Sequence, residues 1–204
     1  MKHTILKTLQ RSLIALSLAY SGAGLASTAL PPGSGPVPLI GTPASVEADL
    51  AGGVVYDKVI PFVIRTPTGA VLFAGSLQNR VVKSNRAGHL HFYYRIRDTK
   101  PGLNGIVAKV ETYSFASTPR IEVDWRPDGL GFVNPATAQR TVAPGAIVTF
   151  NFVRAGSMVM VGGNESKFFY VKSPALNYKL DGRTMIVLTT GQRAVIPSTA
   201  NPIP

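Results

Sequence analysis

Between Val54 and Ile196 apolar and polar residues alternate in short runs, and no helical period lasts beyond one turn. The clearest run is His89–Arg97. Leu90, Phe92, Tyr94 and Ile96 fall on one side, and His89, His91, Tyr93, Arg95 and Arg97 on the other. Successive side chains of a strand leave opposite faces, so this spacing predicts a half-buried strand with an aromatic core row and an accessible basic-aromatic face. Ile106–Phe115 alternates again after a turn containing Pro101-Gly102 and Asn104-Gly105, which predicts an antiparallel hairpin with the preceding strand. Ile121, Val123 and Trp125 oppose Glu122, Asp124 and Arg126 before Pro127-Asp128-Gly129 turns the chain. Further strands are expected at Val54–Ile64, Ala70–Lys83, Ala146–Val153, Ser157–Val161, Phe168–Lys172, Met185–Thr189 and Arg193–Ile196. Pro61 has no N–H to donate, which assigns the first of these to a sheet edge or a bulge.

Many short strands separated by glycine and proline turns predict an all-β fold. A single antiparallel β-sandwich or jelly-roll-like domain over residues 46–196 is the expected architecture. Leu30–Ala44 carries Pro31, Pro32, Pro36, Pro38 and Pro43 among glycines and serines, so residues 27–45 are expected to be an extended linker or arm. Residues 197–204, with Pro197, Pro202 and Pro204, are expected to be a fraying tail.

The first residues have a different grammar. Lys2, Lys7 and Arg11 precede an apolar run over Ser12–Ala23 that is too short to span a bilayer, which takes about 20 residues. Gly24-Leu25-Ala26 places small residues three and one before a cut, and Ser27-Thr28-Ala29 offers a second. Residues 1–26 are therefore expected to be a Sec-type secretory signal peptide, cleaved after Ala26 or Ala29. The destination is periplasmic or extracellular, with no transmembrane segment after cleavage.

Composition narrows the chemistry. The 204 residues include no cysteine, which excludes a disulfide scaffold, a thiol nucleophile and a thiolate metal site. Only 15% of residues are charged, but 21 basic residues stand against 10 acidic, a formal net charge of +11. An exported basic protein meets acidic polysaccharide or other extracellular polyanions as natural counterparts. No Gly-Lys-Ser/Thr phosphate loop and no Gly-x-Ser-x-Gly elbow is present, so no cofactor, no nucleotide and no serine nucleophile is expected.

The order of motifs resembles a group of uncharacterised bacterial exported β-domain proteins that sometimes carry a sorting tail of the PEP-CTERM type. The matching stretches are Gly75-Ser76-Leu77-Gln78-Asn79-Arg80-Val81-Val82, Ala87-Gly88-His89-Leu90-His91-Phe92-Tyr93-Tyr94-Arg95-Ile96, Gly163-Asn164-Glu165-Ser166-Lys167-Phe168-Phe169 and Lys172-Ser173-Pro174-Ala175-Leu176-Asn177-Tyr178. The resemblance covers roughly residues 70–195 and implies export and a β domain, with no catalytic residue carried over. The sorting tail itself is absent from this sequence.

Three constellations are candidates for chemistry. His89 and His91 leave one strand face and could serve a metal only with a carboxylate such as Asp98, Glu111 or Asp124; with Arg95 and Arg97 beside them, no metal site is expected. Glu122 and Asp124 share a face and Glu111 could lie opposite, the paired-carboxylate arrangement of glycoside hydrolysis. Third, His91, Tyr93, Arg95 and Arg97 form a basic-aromatic strand face suited to a polyanion. The expected function is a secreted, non-enzymatic envelope or extracellular-matrix protein binding acidic polysaccharide or another polyanion through that face. The alternatives are an extracellular carbohydrate-active enzyme using Glu111, Glu122 or Asp124, and a strand-exchanging surface-fibre subunit with Leu30–Ala44 as donor.

Overall fold

The alternating segments become strands of two antiparallel sheets packed face to face, a β-sandwich. The computed structural model describes residues 26–153 and 158–203. In chain order its strands are β1 (Thr28–Ala29), β2 (Val37–Pro38), β3 (Gly52–Arg65), β4 (Val71–Ser84), β5 (Leu90–Arg97), β6 (Ile106–Thr112) and β7 (Glu122–Trp125). There follow β8 (Thr137–Arg140), β9 (Val148–Asn151), β10 (Met160–Val161), β11 (Phe169–Lys172), β12 (Asn177–Leu188) and β13 (Arg193–Ile203). One sheet runs β1-β7-β11-β5-β4-β3 and the other β13-β12-β6-β9-β8-β2, with β10 also paired to β6.

The core lies between the sheets. Leu77, Val81, Phe92, Tyr94, Ile96, Val123, Phe169 and Val171 come from the first sheet, and Val107, Val110, Val148, Phe150, Ile186 and Ile196 from the second. Burying these apolar faces supplies the main driving force in a chain without disulfides. The predicted aromatic row of β5 is wholly buried here. The one polar group on that row, the Tyr94 hydroxyl, is met by the Thr112 hydroxyl at 2.8 Å. Burial pushes its pKa well up, so it stays a neutral phenol in the core.

Prolines mark the edges. Pro61 lies on β3, the outer strand of its sheet, as its missing N–H requires. Pro197 and Pro202 lie within β13, also an outer strand, so the segment expected to fray as a tail pairs with β12 as far as Ile203. A proline needs only an outward-facing backbone position, which an edge strand offers at every second residue.

Two further expectations are corrected. β5 and β6 are not a hairpin: β5 pairs with β4 and β11, and β6 with β12, β9 and β10. The turn between them crosses from one sheet to the other, and turn chemistry carries no information on which sheet receives the next strand. Residues 27–45 are not an unpacked arm. β1 pairs with β7 and β2 with β8, while Leu30, Leu39 and Thr42 are buried. The segment offered as a donor strand is thus consumed within its own chain. The proposed signal peptide lies outside the described residues except for Ala26.

Candidate functional site

The solvent-side face of the six-stranded sheet carries an ordered array of polar and aromatic side chains. Pairing sets Glu122, Lys172, His91 and Val82 in one row across β7, β11, β5 and β4. The next row is Asp124, Tyr170, Tyr93, Arg80 and Asp57. Arg95 and Gln78 are paired in the row beyond it.

A cover lies over much of this array. Residues 41–50, ending in a 3-10 turn at Ala48–Leu50, cross the sheet on this side. Asp124 is fully buried and holds the start of the cover: its carboxylate accepts from Gly41 N (2.9 Å), Thr42 Oγ1 (2.7 Å) and Trp125 N (2.9 Å). Burial raises its pKa, opposed by these donors. Gly41 is required there, with φ +90° and a Cβ that would sit 2.6 Å from the Trp125 ring. Farther on, Leu50 packs with Val82, Tyr93, Phe168 and Tyr170 in a second apolar cluster.

This cover changes the status of the predicted basic-aromatic face. The alternation of β5 is as expected, but His91, Tyr93 and Arg95 are buried and only Arg97 is half exposed. The Tyr93 hydroxyl donates to Leu50 O, and His91 Nε2 lies 3.1 Å from Asp49 O. Arg95 pairs with Glu165, donates to Ser166 O at 3.3 Å, and lies over the Phe168 ring. β5 sits in mid-sheet, and the 41–50 segment and Phe168 bury its outer side.

The carboxylates of the enzyme alternative are not brought together. Glu111 lies on β6 in the other sheet, beside Lys109 and the Tyr113 hydroxyl. Glu122 pairs with Lys172 at 2.8 Å, and Asp124 is spent on the cover. Nor do Asp98, Glu111 or Asp124 face the histidines. Asp98 pairs with Arg97. The carboxylate beside His91 is Asp49, 3.6 Å away. Among the described residues no group of three metal-ligating side chains is present.

Asp49 belongs to a charged cluster that the alternation could not reveal. Lys172 pairs with Glu47 and Glu122 and lies 3.6 Å from Asp49. Burial alone would lower the Lys172 pKa, but the hydrogen bonds to Glu122 and Glu47 carry it above the usual lysine value. Burial lowers that of His91, only partly opposed by Asp49. Its Nε2–H donates to the Asp49 carbonyl, while its buried Nδ1 has no hydrogen-bond partner among the described residues. A neutral imidazole fits both facts.

His91 binds fewer protons folded than unfolded, so its contribution to stability is full above the unfolded pKa of about 6.5 and declines as the pH falls below it. Glu47 and Asp49, also lowered, act with the same sign at more acid pH. Urea unfolding between about pH 7 and 5 should therefore show stability falling with acidification, and His91→Gln should flatten that slope. Equal slopes in the two proteins would remove His91 as the cause.

Beside the cover is a cavity of about 410 Å³ lined by Gln78, Arg80, Arg95, Arg97, Arg126 and Leu130, among others. Each guanidinium shares its charge with a carboxylate: Arg80 with Asp57, Arg95 with Glu165, Arg97 with Asp98 and Arg126 with Asp128. Two lining residues keep a buried polar atom without a hydrogen-bond partner among the described residues, Gln78 Oε1 and Arg97 Nε. Arg97 Nε lies 3.0 Å from Asp98 Oδ2 but outside hydrogen-bonding geometry, so the pair is an ionic contact there. Arg80 and Arg126 were outside the predicted site, since only strand register and the 127–129 turn bring them to Arg97.

No protein-family model, curated protein or solved structure matches the chain. The functional reading therefore rests on the geometry of this face.

Proposed function

We propose that the protein is an exported, non-enzymatic component of the cell envelope or extracellular matrix that binds acidic polysaccharide in the arginine-lined cavity. The observation that carries this reading is the convergence of Arg80, Arg97 and Arg126 on one cavity that Gln78 and Leu130 also line. Guanidinium groups match carboxylates in a planar fork, and a sugar hydroxyl can both donate and accept. The exposed Leu130 side chain offers an apolar wall for a sugar ring. Asp57, Asp98 and Asp128 around the arginines disfavour a densely charged chain, so a uronate polymer with hydroxyls between its charges suits the site better than nucleic acid. The basic charge and the signal-like start of the chain support the extracellular setting.

The test is binding to polygalacturonate, with neutral dextran as control, for the native chain and an Arg80→Ala/Arg97→Ala variant. Arg95 is left intact because it is buried. The variant should bind at least about tenfold more weakly, or roughly 1.4 kcal/mol, with a shallower salt dependence because fewer counterions are released. Unchanged affinity and salt slope, or equal binding to dextran, would defeat this reading.

A further inference from the structure

Ser27 is held by the charged cluster under the cover. Its backbone N lies 2.9 Å from Glu47 Oε2, its hydroxyl donates to the same oxygen at 2.6 Å, and that hydroxyl is 2.8 Å from the Tyr170 hydroxyl. Immediately afterwards the chain is committed to the fold. Thr28 and Ala29 pair with Val123 and Glu122, Leu30 N donates to Ile121 O at 2.9 Å, and Leu30 is fully buried. Ala26, one residue earlier, is exposed.

The charges around Ser27 are unequal. Within ion-pair distance Glu47, Asp49 and Glu122 share one lysine, Lys172, with Arg86 and Arg120 lining the pockets beside them, and burial disfavours a charge on the adjacent His91. An amide nitrogen at Ser27 gives Glu47 a single uncharged donor. An ammonium in the same place would turn this hydrogen bond into an ion pair, adding the attraction of two opposite charges to the bond the carboxylate already accepts.

We propose that an export peptidase cuts between Ala26 and Ser27, and that the new α-ammonium of Ser27 is bound by Glu47 as the second cation of this cluster. The proposal rests on the export reading above. Water adds across the Ala26–Ser27 amide: the leader departs with the Ala26 carboxylate, and Ser27 keeps the nitrogen, protonated at neutral pH. Gly24 and Ala26 are the small residues such a peptidase needs three and one before the cut. A cut after Ala29 would satisfy the same rule but would discard Ser27 with its bonds to Glu47 and both paired residues of β1. Processing at Ser27 thus completes the fold, whereas processing at Leu30 would remove part of it.

Two measurements test this. The full chain is expressed in an exporting bacterial host, and its N-terminus is read by sequencing and intact mass. A product outside the cytoplasm beginning at Ser27 is expected. One beginning at Leu30 or elsewhere overturns the cut site and leaves export standing, whereas a cytoplasmic chain retaining Met1 overturns export and the processing proposal together. Separately, a chain starting at Ser27, released from a removable N-terminal fusion, is compared with one starting at Leu25, in which the Ser27 nitrogen remains an amide. The Ser27 chain should unfold at higher urea concentration near neutral pH, and Glu47→Gln should abolish the difference. Equal midpoints for the two native-sequence chains would overturn the ammonium's role.

Discussion

Arg140→Ala is expected to cost on the order of 3–5 kcal/mol of stability, because it strands several buried carbonyl groups at once. Arg140 is the last residue of β8 and is buried. Its Nε donates to Gly145 O at 2.8 Å. Nη1 donates to Leu30 O (3.2 Å) and Pro119 O (3.1 Å), and Nη2 to Phe115 O (2.8 Å) and Thr118 O (2.7 Å). All five guanidinium donors are therefore used, and they tie the segment after β1, the loop before β7 and the turn before β9 to one point. Burial pulls the Arg140 pKa down, though a guanidinium stays charged at any ordinary pH. Arg140→Lys should recover only part of the loss, since an ammonium has three donors for five acceptors. Denaturant unfolding of the three proteins decides the matter. A cost below about 1 kcal/mol for the alanine variant would mean that water replaces the guanidinium freely.

Phe169→Ala should cost about 3–5 kcal/mol through lost transfer energy and an unfilled cavity. Phe169 is fully buried on β11. Its ring centroid lies 4.8 Å from that of Phe150, 5.5 Å from Phe152 and 5.9 Å from Tyr94. Phe150 belongs to the opposite sheet, so this ring is a direct contact between the two layers. Phe132→Ala makes the same chemical change at a side chain that is 74% exposed and should stay within about 0.5 kcal/mol of the native protein. The contrast between the two truncations, read by urea unfolding, separates core packing from a general intolerance of losing phenylalanine. Similar effects at both positions would contradict the assignment of the core.

These two side chains act at different levels. Phe169 holds the sheets together by area and shape, and its neighbours would relax only in part around its loss. Arg140 holds irregular chain in place by direction, because carbonyl groups in loops have no ladder partners to satisfy them. The proline-rich segment 27–45 depends on such anchors. β1 and β2 contribute two residues each, and the remainder is fixed by bonds such as those from Arg140 to Leu30 and from Gly41 and Thr42 to Asp124.

The all-β class, the sandwich, most strands and the edge position of Pro61 were legible in the sequence, because alternation and proline chemistry are local. The period of two in Leu90–Ile96 determines which side chains share a face of β5, and the structure keeps that division. It does not determine what lies over the other face. That depends on residues 41–50, about forty positions earlier, whose first half belongs to the proline-rich stretch 27–45 that reads as a linker when no partner is in view. Only the tertiary structure turned His91, Tyr93 and Arg95 from an accessible face into a buried layer, and sent β6 to the opposite sheet from β5. The arginine cavity and the Glu47–Lys172 cluster have the same origin. Their members come from strands distant in sequence and meet through register, and register is set by long-range pairing rather than by any one segment's pattern.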